Sequence, residues 1–348
     1  MYSQNYLFLK RCMLSISNQA VKMVLIVCFF SCLIACSSCR QTNGTKQPNT
    51  VVKVGVVTWA GVGPGYVGVA KGFFGNIQVE MRIIEDTNAR YSAYSSSDLT
   101  MMLTTADQHS REFERGLPGK LFWITDVSNG ADGMVALKSI KTLADLKGKR
   151  IAYPVGTASD YLLQKALQSV GINRTDVTLR TVDDPNNAIA AFNAGQVDAA
   201  VAWEPLLGET VASGKGHILF TSADIPGAIV TAFVAKDEFI NDSVTAKAFL
   251  DGWQKAIEYS KSNPDEAYAI MAQGMSIKPE EVTGMMSGIK IGDRQLNKDF
   301  FCPDSSGIIR LAKVVEDSAA YWKEIGVLNQ PPFAQDRLAT FTQNYLCR

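Results

Sequence analysis

The chain of 348 residues is 47% hydrophobic and 20% charged, with 34 basic and 34 acidic side chains in balance, the composition of a globular protein with room for two cores. That balance excludes a broad basic surface for nucleic acid. Two histidines and seven cysteines, none in a Cys/His ligand spacing, exclude a conventional metal site.

The first 35 residues carry Lys10, Arg11 and Lys22 and no acid, and they end in an apolar run too short to span a bilayer. This reads as a cleaved export signal, residues 1–35, rather than a membrane helix. Leu33-Ile34-Ala35-Cys36 resembles the bacterial lipobox, so Cys36 is the expected lipid anchor, with Met13 as an alternative start. The other reading is an ordinary secretory signal in which Cys36 is incidental. Residues 36–50 are polar and aperiodic and read as a flexible tether. Loss of the three bases in the signal leaves a formal charge of −3.

Beyond the tether, 51–59 is a β-branched run typical of a buried strand, broken by Gly61-Val62-Gly63-Pro64-Gly65 before a short helix. Strands are expected at 78–84 and 120–125, with a helix and a strand within 91–116. The polar turn 126–132 follows. From Leu143 the pattern restarts: strand 151–153, a helix with Leu162, Leu163, Ala166, Leu167 and Val170 at helical spacing, strand 177–182, a helix opened by Asp184-Pro185, and strand 197–203. A last strand is expected at 229–236. Helices should then fill 243–262, 264–274, 279–288, 306–325 and 334–345. The alternation argues for a parallel, doubly wound sheet, and the restart near 140 with the late strand near 230 argues that one α/β unit interrupts another. In an oxidising compartment Cys302 and Cys347 can pair and pin the last helix, or remain two buried thiols.

Four short constellations carry the chemistry. Gly63-Pro-Gly65-Tyr-Val-Gly68 formally matches G-x-G-x-x-G with Glu85-Asp86 ending the next strand, a nicotinamide reading weakened by Pro64 and by the gap after the strand. The alternative is a loop that brings backbone N–H groups and Trp59 to a cleft. Thr157, Ser159 and Asp160 open a helix, as a capping box or as a ligand-facing N-terminus. Trp203 and Glu204 close a strand at the sheet's carboxyl edge, where open α/β folds take ligands, and Asp126, Asn129 and Asp132 fill a strand-ending loop. Nothing assembles a catalytic set, because no G-x-S-x-G elbow, P-loop lysine or paired Cys and His is present in the sequence.

The Trp59-to-Gly65 loop, Asn129-Gly130-Ala131-Asp132, Leu143-x-x-Leu146-Lys147-Gly148-Lys149, the run from Ala188 to Asp198 and Trp203-Glu204-Pro205 together resemble the solute-binding proteins of ABC importers for nitrate, taurine and aliphatic sulfonates, the SsuA/THI5-like group. The resemblance implies a two-lobed α/β periplasmic-binding-protein fold, type II-like, with two hinge crossings and a helical C-terminal part. The expected lobes are 51–138 with 234–348, and 139–233. It also implies a monomer that closes on a small solute and delivers it to a permease and its ATPase, with no cofactor, no metal and no nucleic acid. The site residues it points to are Trp59, Gly65, Asp126, Asn129, Thr157, Ser159, Asp160, Trp203 and Glu204.

Ser128 to Gly133, Ser159 to Leu163 and Ile225-Pro226-Gly227 resemble a subgroup suspected of importing urea or guanidine-like compounds. The segments expected around the cleft hold Asp126, Asp132, Asp160 and Glu204 and no base, which suits a small cation. Backbone N–H groups at 156–159 binding an oxyanion are the rival. From other classes, an exported enzyme using the same cleft and a sensor lobe handing its ligand-bound form to a signalling partner are the alternatives.

Overall fold

The computed structural model describes residues 50–329 and 334–347, so the expected signal, Cys36 and nearly all of the tether lie outside the described residues. Ten strands come in two runs before a mostly helical remainder. The first run is β1 (Thr50–Val56), β2 (Ile77–Ile83), β3 (Met101–Thr105) and β4 (Lys120–Ser128). The second is β5 (Asp132–Leu137), β6 (Arg150–Pro154), β7 (Thr178–Val182), β8 (Ala199–Trp203) and β9 (Gly216–Thr221), after which β10 (Val230–Ala235) returns to the first sheet. A short β11 (Ile289–Ile291) lies among the later helices.

One sheet has the order β11-β4-β10-β3-β1-β2 and the other β7-β6-β8-β5-β9. The chain therefore passes between sheets twice, at 129–131 and at 222–229. Asp132–Leu137 belongs to the second sheet and Val230–Ala235 to the first, which sets these crossings several residues before the expected 138/139 and 233/234 borders.

The expectation of a wholly parallel sheet does not hold, because β10 runs antiparallel to β3 and β4, and β5 antiparallel to β8 and β9. These two are the strands that arrive directly from the other sheet, while the short β11, also antiparallel to β4, comes from among the later helices. A chain leaving the carboxyl edge of one sheet enters the facing sheet at that sheet's own carboxyl edge, and so it runs against the strands already there.

Burial follows strand alternation. Ala199 and Val201 face the helix Ala158–Ser169 through Leu162, Leu163, Ala166 and Leu167, while Ala200 and Ala202 face the helix Pro185–Asn193 through Ala188, Ile189 and Phe192. The larger core lies on the first sheet, where Val52, Val54 and Val56 of β1 join side chains from the helices Ser243–Ser262, Pro264–Met275, Pro279–Ser287 and Arg294–Phe301. The expected helix at 306–325 is observed as Arg310–Glu324. The expected 334–345 segment is a 3-10 turn, Ala334–Arg337, followed by the helix Thr340–Leu346.

Cys302 and Cys347 are joined, tying the end of the helix Arg294–Phe301 to the end of Thr340–Leu346 across 45 residues of sequence. Closing a loop of that length constrains the unfolded chain by up to about 4 kcal/mol. Cys347→Ser should therefore lower the unfolding free energy in a non-reducing urea titration by roughly 2–4 kcal/mol. An unchanged midpoint with unchanged slope would show that the bond does not restrain the chain.

Candidate functional site

The carboxyl ends of β1, β3 and β4 and those of β6, β8 and β9 face one another across the two crossings. This is the edge at which open α/β sheets present ligand groups, since backbone and helix starts converge there.

In the first lobe, Thr105, Thr231 and Asp126 stand side by side on β3, β10 and β4, with Thr231 in register with both neighbours. The β4–β10 ladder then slips: Asp126 pairs with Thr231 but Ala232 pairs with Ile124, leaving Thr125 as an extra residue. A bulge of this kind turns adjacent side chains to the same side. The Thr125 hydroxyl accordingly donates to Asp126 Oδ2 at 2.9 Å, alongside the Trp59 indole Nε1 at 2.9 Å, and Thr231 Oγ1 donates to Oδ1 at 3.1 Å. A Cβ on Gly61 would collide with this carboxylate, so the 3-10 turn Ala60–Val62 needs a bare residue there.

Two more acids are shut away with it. Asp107 opens the helix Ala106–Glu114, is 1% exposed, and neither carboxylate oxygen has a hydrogen-bond partner of full geometry, although the Thr105 hydroxyl, the Arg111 charge and the N–H groups of Asp107 and Gln108 lie close enough to ease its charge. Asp132 is the first residue of β5, its N–H donates to Ser128 Oγ at 3.2 Å, and it is 5% exposed. Burial pushes the Asp107 and Asp126 carboxyls up to about 6. Asp132 rises to about 7, through burial first and then through the charges of Asp126 and Asp107. Asp132 thus feels both of the other acids.

Across the cleft, Trp203 ends β8 in register with Asp132, and its half-buried ring packs against the core that contains Trp59. The two indoles therefore belong to one hydrophobic cluster that bridges the lobes. Thr157 caps the helix Ala158–Ser169, its hydroxyl donating to Pro154 O at 2.8 Å and accepting from the Ser159 N–H at 3.2 Å. Ser159 Oγ is fully buried with no partner.

The remaining expected residues have local tasks. Asp160 accepts from the Gly156 N–H at 2.9 Å, from Arg174 at 2.9 Å and from Tyr321 Oη at 2.8 Å, so its charge is already neutralised. Glu204 accepts from the Gly208 N–H at 3.0 Å, and its carboxyl lies above the usual range because it is half-buried. The Asn129 N–H is committed to Gly288 O at 2.8 Å. Gly65 faces Met81 and Trp253 in the hydrophobic core, where a Cβ would not fit. Gly63 and Gly68 likewise press against Met271 and Phe74, so the formal G-x-G-x-x-G is a close-packing device for the helix Gly63–Ala70 rather than a phosphate cradle.

Sequence reasoning missed Asp107, Thr231, Arg174, Tyr321 and Arg111. The expectation of no base near the cleft is corrected by two arginines. Arg174 holds Asp160, and Arg111 lies against Gly156, whose φ of +70° and lack of a Cβ admit it, and over the Trp322 ring at 5.5 Å. A buried strand-ending segment, Thr104-Thr105-Ala106-Asp107, was the one available signal for Asp107. The others are brought in by tertiary packing.

A sequence model described as NMT1/THI5 like matches residues 59–267. A putative binding protein of Brucella abortus is 31% identical over 151 residues, 42% of this chain and 47% of that protein. The chain thus spans about half the length of the Brucella relatives it matches. A putative thiamine biosynthesis protein of Haemophilus influenzae is 30% identical over 226 residues, covering 61% of this chain and 68% of the relative. Among solved structures, the periplasmic aliphatic sulphonate binding protein of Escherichia coli superposes with a TM-score of 0.68 at 17% identity, over 86% of this chain and 99% of that one, which establishes a shared fold.

The raised carboxyls have a measurable consequence. A folded-state pKa above the unfolded value means that the folded protein holds the extra proton between the two values, so stability falls as pH rises through that window, here from about 4 to about 7 for Asp132. His109 works in the opposite sense, because burial pushes its imidazole down to about 3 and the unfolded chain takes up the proton first. The difference between variants isolates the acid: Asp132→Asn should gain roughly 3 kcal/mol relative to the parent between about pH 4 and about pH 8. A difference that stays constant across that range would show that Asp132 titrates as an exposed carboxyl.

Proposed function

This chain belongs to the NMT1/THI5-like family, and on that footing we propose that it is the extracytoplasmic solute-binding component of an ABC importer, capturing a small solute between its lobes and passing it unchanged to a permease and its ATPase. The observation that carries the reading is the convergence of Trp59, Asp107, Asp126, Asp132 and Trp203 where the two sheets present their carboxyl edges across two crossings. Two lobes joined by two strands can hinge, and a buried polar site between them is reached by that motion.

The Brucella relative is named as a binding protein, and the Escherichia coli structure as a binder of aliphatic sulphonates. For this chain the acids favour a nitrogen compound of the urea, guanidine or amine type over a sulfonate, because three buried carboxylates repel an anion. A hydrolytic or group-transfer reading finds little support in the described cysteines, which are spent on a disulfide, or in His109, whose ring nitrogens are buried without partners. We propose a monomer held to a membrane through acylated Cys36. No helix among the described residues is long and apolar enough to cross a membrane.

Thermal melts against urea, guanidine, simple amines, nitrate, taurine and alkanesulfonates test the capture reading. The nitrogen compounds should raise Tm progressively with concentration, by mass action, with no product formed. Trp203→Ala should weaken binding about tenfold or more while Glu204→Gln, whose carboxylate already serves the Gly208 N–H, should weaken it less. Stabilisation by sulfonates alone would overturn the nitrogen assignment. For the anchor, Cys36→Ala should shift the protein from the membrane to the soluble fraction and abolish incorporation of labelled fatty acid; continued labelling would remove Cys36 as the lipid site.

A further inference from the structure

We propose that Asp107 is the direct anchor for the solute's charged group, within a cage completed by Asp126 and Asp132 that takes a small cation rich in N–H donors, of the guanidinium, amidinium or alkylammonium type. The inference deepens the capture reading and rests on it.

Four observations point the same way. First, Asp107 is buried with both carboxylate oxygens unpartnered, while Asp126 is saturated by Trp59, Thr125 and Thr231. Native proteins rarely leave a carboxylate in this condition unless something else supplies the donors. Second, the nearest base makes no hydrogen bond to them: Arg111, one turn further along the same helix, eases the carboxyl by its charge alone, while its guanidinium pairs with Glu112 and lies over Trp322 and against Gly156. Third, the Ser159 hydroxyl at the start of the opposing helix Ala158–Ser169 is fully buried and equally unpartnered, so the second lobe also offers an uncommitted polar group. Fourth, the main chain at Asp107 is fixed from behind, because the Trp322 indole Nε1 donates to Asp107 O at 2.8 Å. The carboxylate is held in place without being satisfied. A carboxylate without hydrogen-bond partners, near an Asp132 that feels both it and Asp126, matches a cation with several N–H groups, and the half-buried Trp203 ring adds a face on which such a cation can lie.

The charged groups around Asp107 come from several packed elements, among them the 3-10 turn Ala334–Arg337, whose Arg337 lies over the Phe113 ring of the same helix and acts on His109. Asp132 feels the charges of both Asp107 and Asp126, and Arg111 is on the helix of Asp107. On the neighbouring helices, Asp160 is held by Arg174 and Tyr321, and Asp317 by Lys313. Tyr161, between these helices, feels both Asp107 and Asp317. With the three site carboxyls shifted upward, protons occupy the cage at mildly acid pH and must leave when a cation enters. Cation affinity therefore rises with pH.

Calorimetric titration of the full chain with guanidinium, methylguanidine, acetamidine and methylammonium, with urea as the neutral isostere and ethanesulfonate as the anion, tests this. At least one cation should bind about tenfold or more tighter than urea, and its affinity should rise about tenfold from about pH 5.5 to about pH 8 with protons released to the buffer. Asp107→Asn should lose about thirtyfold or more in cation affinity, and Asp107→Glu should recover part of it. Unchanged cation affinity in a cooperatively melting Asp107→Asn overturns the proposal. Should that variant fail to fold, the parent's pH dependence decides, and a flat or falling affinity overturns it. Ethanesulfonate or nitrate binding more tightly than every cation overturns the cage and leaves the capture reading standing. No binding by any probe removes both.

Discussion

One carboxylate holds this molecule's centre together. Asp126 takes hydrogen bonds from a loop that follows β1, from its own strand and from β10, the last donor lying 105 residues away in sequence. Its position depends on the bulge at Thr125, which brings two successive side chains of β4 to one side, and on the absence of a side chain at Gly61. From that point the arrangement spreads outward: the orientation of Trp59 is fixed by Asp126, Trp203 packs on the cluster that contains Trp59, and Asp132 enters the second sheet opposite Trp203. A buried acid that is hydrogen-bonded but still displaced upward in pKa is a costly centre, and the cost fits a place where charge is to be received.

The lobes are joined by more than their crossings. The helix Arg310–Glu324 begins in the core of the first sheet through Leu311 and Val315 and ends against the second lobe, where Tyr321 meets Asp160 and packs on Tyr161. The acid that sequence alone offered as a ligand group thus serves an interlobe contact. Both crossings are braced locally as well: Ser222 Oγ bonds Ser128 Oγ at 2.7 Å and accepts from the Gly130 N–H at 2.7 Å, which links the outgoing and returning strands.

The sequence made the architecture largely readable. The β-branched run of β1, the Leu162-to-Leu167 periodicity and the Pro-led helices were read close to their true bounds, since each is dictated by local pattern. Strand direction was not legible, because a reversed strand such as β10 has the same alternation as a parallel one and only its arrival from the other lobe turns it round. The strands β5, β9 and β11 were missed; β5 follows the polar turn 126–132 with hardly a break, β9 is half-exposed at a sheet edge, and β11 has three residues, too few to carry a period. Motif and strand position pointed to Trp59, Asp126 and Trp203, of which Trp59 bonds Asp126 and shares a hydrophobic cluster with Trp203. Asp107 was passed over because an acid in the first helical turn has an ordinary explanation, and Arg174 and Tyr321 lie in segments whose relation to the cleft is purely tertiary.

Asn297 is the feature with the widest reach. Fully buried, it receives the Ile124 N–H at 2.8 Å and donates to Ile124 O at 2.9 Å, imitating with one amide the neighbour that β4 lacks once β11 has ended. Ile124 immediately precedes the bulge. A side chain 173 positions downstream therefore sets the register of the strand that carries the central acid. The late helices in this sense help aim the candidate site: a chain trimmed before Asn297 would keep every strand of its first sheet, β11 included, and still lose the amide that pairs Ile124 beside the bulge carrying Asp126.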